Sequence, residues 1–136
     1  MWAARLCSFP SLYPAVPLGI PGLLFKIKRV YEPAGASDGK RILVDRLWPR
    51  GLSKGRARVD EWLKEVSPSP ELRKWFEHDP AKWEEFKRRY AAELVGKEGI
   101  LDELKREAEK GTVTLLYGAR DEEHNQAVAL LIILEG

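Results

Sequence analysis

The chain has 136 residues, of which 44% are hydrophobic, so it can form one domain whose core needs no covalent staple. Its 23 basic and 21 acidic residues nearly balance, which excludes a global electrostatic attraction to nucleic acid or to membranes. Cys7 is the only cysteine and there are two histidines, which excludes an intrachain disulfide and leaves too few ligands for a closed zinc site. We therefore predict a cytoplasmic protein that uses no metal and no cofactor.

Residues 1–24 differ in composition from the rest of the chain. They carry a single charged side chain, Arg5, and a proline recurs every three or four residues from position 10 to position 21. These prolines argue against a transmembrane helix, and the interrupted apolar run argues against a secretory signal. We interpret residues 1–24 as an apolar N-terminal extension, either translated from a misplaced start or packed as an extended arm, and place the domain at residues 25–136.

Two strand patterns open the domain. Phe25–Tyr31 alternates apolar and basic residues, as in a strand with one face in water, and Arg41–Leu47 has a continuous apolar centre. Ser37-Asp38-Gly39 between them is typical of a turn. Because this connection is short for a parallel crossover, both a hairpin and a very tight crossover fit the sequence.

Helical patterns follow. Asp60 is predicted to cap a short helix that runs through Val66, and Ser69 and Asp79 each precede a proline, an arrangement that favours a helix start. The helix after Asp79 is the clearest, and we predict that Trp83 and the other aromatic residues of its stripe belong to the core. A fourth helix spans residues 100–108 and is closed by Gly111.

The C-terminal part is predicted to contain a third strand, Thr112–Tyr117, and a last helix that Asp121 caps. Residues 127–134 are apolar on every side, which fits a buried helix or a strand, and the acidic start favours the helix. Strands separated by helices indicate an α/β layer fold. We predict a small single domain with three or so mostly parallel strands flanked by about five helices.

The segment Asp45–Gly51, which follows the second strand, is the first candidate site, because open α/β sheets bind ligands beyond the carboxyl ends of their strands. Arg46 and Arg50 could grip an anion, Trp48 could stack on a ring, and Asp45 could orient a ligand or act as a base. Seven basic residues and one acid lie between Lys40 and Arg58. The alternative is structural: Asp45 pairs with an arginine, Trp48 fills the core and the other bases are solvated.

The loop after the third strand is the second candidate. It contains Tyr117, Arg120, Asp121 and Asn125, beside a helix start whose free N–H groups favour anions. In a parallel sheet both candidate loops open on the same edge, so we predict that Arg46, Arg50 and Arg120 converge on one anion site. The alternative is an ordinary acidic helix start.

His78 is a third candidate, since a histidine beside a carboxylate could act as a general base. The competing interpretation assigns Asp79 to a helix cap and leaves His78 as a partly exposed neighbour.

The residues also resemble a known family. The runs Lys28-Arg-Val-Tyr-Glu-Pro33 and Leu43-Val-Asp-Arg-Leu-Trp-Pro-Arg-Gly-Leu-Ser-Lys54, with His78-Asp79-Pro80 and Val113-Thr-Leu-Leu-Tyr117 further on, resemble the YeaO-like branch of the domain of unknown function 488 family. The resemblance covers nearly all of residues 25–136. It implies a compact α/β fold in a cytoplasmic protein and no particular activity.

Wider relatives of that family carry an Asp-x-Arg motif after the second strand and a Cys-His-Arg motif after the last. The first matches Asp45 in kind, with the arginine displaced to Arg46. The second falls on His124-Asn125-Gln126, which lacks the cysteine and the arginine, so thiol chemistry is not implied for this chain.

Three functional hypotheses follow. We favour an enzyme or binding protein for a small anionic, phosphate-bearing molecule held at the arginine-rich edge. The second hypothesis is a nucleic-acid-binding module that uses the basic segment 40–58, and the third is a structural or interaction domain without a ligand. We expect no membrane partner, and the sequence does not define the oligomeric state.

Overall fold

The structure is a computed structural model that describes residues 24–136. Residues 1–23 of the predicted extension, with Cys7, lie outside the described residues. The strands are β1 (Phe25–Arg29), β2 (Lys40–Leu43), β3 (Glu61–Trp62) and β4 (Val113–Tyr117). The helices are α1 (Lys54–Ala57), α2 (Pro70–Phe76), α3 (Trp83–Glu93), α4 (Glu98–Lys110) and α5 (Gln126–Glu135). No helix within residues 24–136 is long and apolar enough to cross a membrane.

The four strands form one sheet in the order β1-β4-β2-β3, and every neighbouring pair is parallel. The predicted α/β layer fold is therefore confirmed. Because β1 and β2 lie on opposite sides of β4, residues 30–39 form a tight crossover, which decides between the two connections that the sequence left open.

A buried carboxylate holds this crossover together. Asp38 is 1% exposed and accepts hydrogen bonds from the Arg41 guanidinium and from the ammonium of Lys28, 3.1 Å away. Gly39 follows with φ +64°, and a Cβ there would lie 2.1 Å from the carbonyl oxygen of Thr112. The turn therefore needs both a charge at Asp38 and a glycine after it.

The two faces of the sheet are covered differently. The strand period of two sends alternate residues of β4 to opposite faces. Val113, Leu115 and Tyr117 join the larger core, which α2, α3, α4 and α5 complete. Leu116 joins a smaller cluster under α1 and its flanking loop, with the half-buried rings of Trp48 and Trp62.

The helix predicted from Asp60 to Val66 is wrong. Residues 61 and 62 form the edge strand β3, and Lys64–Val66 is a single 3-10 turn. The N–H of Asp60 donates to the carbonyl of Arg41 at 2.8 Å, and that of Leu63 donates to Leu43 at 2.9 Å. The edge of β2 thus provides hydrogen-bond partners for the backbone of residues 60–63. A helix of two turns would leave more of these backbone groups without a partner.

The aromatic stripe of α3 packs as predicted in most positions. Phe86 and Tyr90 are fully buried, and the rings of Phe76 and Phe86 stack with their centroids 4.3 Å apart. Trp83 is only partly buried and packs against the rim of this core. Its indole lies across the His124 ring at 5.3 Å.

Candidate functional site

A cavity of about 500 Å³ opens at the carboxyl edge of the sheet, beyond the ends of β2 and β4. Its wall comes from the segment after β2, the loop before α2, α2 itself, the loop after β4 and the start of α5. The residues that line it are Asp45, Pro68, Pro70, Arg73, Lys74, Phe76, His78, Phe86, Gly118, Ala119 and Gln126. The position fits the general rule for ligand sites in parallel α/β sheets.

Asp45 is the acidic residue of the cavity. Its Oδ2 accepts a hydrogen bond from the N–H of Gly118 at 2.9 Å, and its Oδ1 accepts one from the Gln126 amide. A Cβ at Gly118 would lie 3.1 Å from Oδ2, so the glycine permits this close approach. The carboxyl group of Asp45 thereby ties the loop after β4 to the start of α5.

Burial raises the pKa of Asp45 to about 6. The hydrogen bond from Gly118 and the positive charge of Arg73 act in the opposite direction and offset only part of this effect. Desolvation dominates because the carboxylate is largely buried and has no basic side chain within 4.0 Å among residues 24–136. A carboxyl group in a cleft with a pKa near neutrality is typical of a functional site.

Arg73 and Lys74 provide the positive charge of the cavity. Both lie in the last turn of α2, whose start is fixed because Ser69 Oγ accepts from the N–H of Leu72 at 3.1 Å and donates to Glu93 at 2.6 Å. Within residues 24–136, no carboxylate lies within 4.0 Å of either cation. The two cations are therefore available to a ligand.

The loop after β4 is held in place by Arg29, at the end of β1. Its guanidinium donates to the carbonyl of Ala119 at 2.8 Å and to that of Gly118 at 3.3 Å. These bonds fix the two peptide groups that follow the Gly118 N–H, which donates to Asp45. Arg29 thus supports the cavity from behind without being part of its wall.

His78, one of the predicted candidates, lies at the cavity rim. His78 and the preceding Glu77 both have positive φ, 55° for His78 and 50° for Glu77. Glu77 ends α2 in this conformation, as the residue after many helices does, and a second left-handed residue directly after it is costly backbone. Asp79 caps the next 3-10 turn through the N–H of Ala81, so the capping role foreseen for it is present as well.

Arg46, Arg50 and Arg120 do not line the cavity. The guanidinium of Arg46 donates to the backbone carbonyls of Ser67 and Pro68 at 3.2 to 3.4 Å, which positions the loop before α2. Arg50 and Arg120 are exposed. These three side chains therefore do not converge on the cavity. Backbone carbonyl groups engage Arg46, and the cations on the cavity wall are Arg73 and Lys74.

Trp48 and Tyr117 are packing residues. The Trp48 indole donates to the carbonyl of Leu52 at 2.6 Å and meets the Trp62 ring edge-on at 5.3 Å. Tyr117 is 3% exposed within the main core. Neither ring is part of the cavity wall.

Asp121 and Asn125 organise the start of α5. Asn125, not Asp121, caps the helix, since its Oδ1 accepts from the N–H of Val128 at 3.0 Å. Asp121 accepts from the N–H groups of Glu123 and His124 in the preceding turn, which lowers its pKa. The helix cap thus lies four residues after the predicted one, because the Asp121 carboxylate is already bound to N–H groups of the turn that precedes the helix.

Three residues of the cavity wall were not predicted as site residues, namely Arg73, Lys74 and Gln126. Arg73 and Lys74 carried no signal of their own, because basic residues on a helix are usually solvated. Gln126 had a detectable signal, because it occupies the arginine position of the Cys-His-Arg motif of wider relatives. Its contact with Asp45 joins the two motif positions across 81 residues of chain.

The fold and the cavity define a small parallel α/β domain with a polar pocket at the carboxyl edge of its sheet. The chain belongs to the family described as the inactive DUF488-N3 subclade, whose model matches residues 24–136, which confirms the resemblance found in the sequence. It is 48% identical over 103 residues to "Uncharacterized protein YeaO" of Escherichia coli (strain K12), covering 76% of this chain and 90% of that protein. It is 40% identical over 111 residues to "Uncharacterized protein Rv3073c" of Mycobacterium tuberculosis, covering 82% and 93%. No solved structure gives a significant match.

Proposed function

We propose that the protein binds a small anionic, phosphate-bearing molecule in the cavity at the carboxyl edge of the sheet. The observation that carries this proposal is the pair Arg73 and Lys74, two cations without a carboxylate within 4.0 Å in residues 24–136, on the wall of a preformed cavity. An arginine can grip phosphate oxygens with two parallel N–H groups, and a lysine adds a point charge.

The size and lining of the cavity support a small molecule as the ligand. A volume of about 500 Å³ lies within the usual range for such sites. The polar groups are few and lie among proline and phenylalanine side chains. This mixture is typical of pockets in which a few directed contacts orient a ligand.

Binding without turnover is the favoured form of this function. Among residues 24–136, the cavity wall contains no cysteine, serine or threonine that could serve as a nucleophile, and the family is described as an inactive subclade. Position 124, which the sequence analysis aligned with the cysteine of wider relatives, is a histidine. These features favour a ligand-responsive or carrier protein over an enzyme.

A thermal-shift series with sulfate, inorganic phosphate and phosphate monoesters tests the proposal, because a ligand of the native state raises Tm by mass action. We expect Arg73→Ala to reduce the anion-induced rise strongly and Lys74→Ala to reduce it less. Arg106→Ala is the matched control, since Arg106 is an exposed residue of α4 that pairs with Glu103. Equal shifts in the Arg73 and Arg106 variants, or no shift in the unmodified protein, would refute the proposal.

Nucleic acid binding is the second candidate, and one observation favours it. Arg50, Lys54, Arg56 and Arg58 are exposed, and the structure gives none of them a carboxylate partner within 4.0 Å among residues 24–136. If they contact phosphates, log K should fall with log salt by roughly 0.9 per contact with duplex DNA. Lys54→Glu with Arg56→Glu should abolish such binding, whereas Arg73→Ala should leave it unchanged.

A further inference from the structure

We infer that the ligand is a hydroxylated phosphate ester of the sugar phosphate class, whose hydroxyl groups donate hydrogen bonds to Asp45 and Gln126 while Arg73 and Lys74 hold its phosphate. This inference rests on the proposed function and narrows it from anions in general to one chemical class. It is carried by the acceptor groups of Asp45 and Gln126, which line the same cavity as the two cations.

Asp45 has unused acceptor capacity at the cavity. Each carboxylate oxygen can accept two hydrogen bonds. In the structure Oδ2 accepts one from the N–H of Gly118 and Oδ1 accepts one from Gln126. As far as residues 24–136 are concerned, one lone pair on each oxygen is left for another donor, and Asp45 lines the cavity.

Gln126 supplies a second acceptor beside Asp45. Its Nε2 donates to Asp45, and its own Oε1 has no hydrogen-bond donor within residues 24–136. Gln126 also lines the cavity, and its hydrogen bond to Asp45 places its amide group next to the carboxylate. Two neighbouring acceptors suit two neighbouring hydroxyl groups, as on a sugar.

A bare anion would bind this wall more weakly than an ester that carries hydroxyl groups. The negative charge of Asp45 opposes any ligand that presents only negative charge, and like charges in a partly desolvated site repel strongly. Neither neighbour requires a full charge at position 45, since an asparagine could accept from the N–H of Gly118 and donate to Gln126 once the Gln126 amide rotates by half a turn. A hydroxyl group on the ligand can donate a charge-assisted hydrogen bond to the same carboxylate, so that Asp45 then favours binding and no longer opposes it.

The cavity is also larger than a phosphate ion requires. Its volume of about 500 Å³ leaves room for several carbon atoms and their hydroxyl groups next to the phosphate. Phe76 and Phe86 are 3% and 2% exposed, so their ring faces are taken up by the core and are not free for a stacked base. The polar sugar portion is therefore the part of the ligand that this cavity recognises.

Calorimetric titration with ethyl phosphate and ribose 5-phosphate tests the inference, because the two esters differ in the hydroxyl-bearing part. In the unmodified protein we expect ribose 5-phosphate to bind about tenfold tighter or more, which corresponds to one charge-assisted hydrogen bond. Asp45→Asn should remove most of this preference while leaving ethyl phosphate binding unchanged or stronger. Arg73→Ala should weaken both esters by the same factor.

The outcomes separate this inference from the proposed function. If both esters bind the unmodified protein equally, or if Asp45→Asn weakens both alike, the sugar phosphate inference is overturned and the anion site stands. If neither ester binds, the proposed function itself fails. Chemical denaturation of the Asp45→Asn protein at the titration pH verifies that the comparison is made between folded proteins.

Discussion

The replacement Asp45→Asn should make the protein more stable at neutral pH, although it changes a residue of the cavity wall. Burial raises the pKa of Asp45 from 3.8 to about 6 in the folded protein. Each pH unit of difference between the folded and unfolded states corresponds to about 1.4 kcal/mol. The ionised carboxylate therefore costs the fold on the order of 3 kcal/mol above pH 7.

The sign of the pH dependence follows from the direction of this pKa change. Below about pH 3.8 Asp45 is protonated in both states and costs nothing. Between pH 3.8 and about 6 the unfolded chain releases its proton first, so the free energy of unfolding falls as pH rises. Above that range the cost is constant. The stabilisation by Asp45→Asn should thus appear between pH 4 and 6 and persist at pH 8.

Asparagine can replace the hydrogen bonds of the carboxylate. Its Oδ1 can accept from the N–H of Gly118, and its amide can donate to Gln126 if that side chain rotates its amide by half a turn. We therefore expect a gain of about 1 to 3 kcal/mol at pH 8 and little difference at pH 3.5. A gain from an isosteric change at a cavity would indicate that the acid is retained for binding.

Urea denaturation followed by tryptophan fluorescence at several pH values measures this effect. Asp102→Asn is the control, because Asp102 is an exposed residue of α4 and its replacement alters the net charge equally. If Asp45→Asn is less stable than the unmodified protein at pH 8, the carboxylate stabilises the fold and the reasoning from desolvation is refuted.

Further predictions concern the crossover between β1 and β2. Asp38→Asn should cost about 3 to 5 kcal/mol in chemical denaturation, because it leaves the Arg41 guanidinium buried without its counter-charge. Burial opposes ionisation of Asp38, but the hydrogen bonds from Gly35, Lys28 and Arg41 outweigh it and lower its pKa. The free energy of unfolding of the unmodified protein should therefore fall as pH drops below about 3.8. The Asn variant should lose less stability over the same pH range. An equally steep loss in both proteins would contradict the lowered pKa of Asp38. Gly39→Ala should cost about 3 kcal/mol or more, since its Cβ would meet the Thr112 carbonyl oxygen. Gly51→Ala, with φ +78° and nothing within 4 Å of the added Cβ, should cost only about 1 kcal/mol; equal losses would show that the contact is not decisive.

Local signals in the sequence identified most of the fold. Strand and helix periods, and the caps at Ser69 and Asp79, depend on neighbours within a few residues and can be read directly from the chain. The segment 60–66 could not be assigned in this way, because its backbone groups pair with the edge of β2, about twenty residues earlier. The tight crossover likewise depends on Thr112 and Thr114, which approach Asp38 and Gly39 only in the folded protein.

The sequence by itself determined the α/β class. It also predicted a site at the carboxyl edge of the sheet with Asp45 and His78 as candidates, and both residues line the cavity found there. Only the tertiary structure decided which cations face the cavity. An arginine seen in a sequence shows its charge but not its partners, and the distant carbonyls of Ser67 and Pro68 engage Arg46. Packing of α2 against the main core brings Arg73 and Lys74 to the wall instead, because contacts between segments far apart in the chain determine where each charge lies.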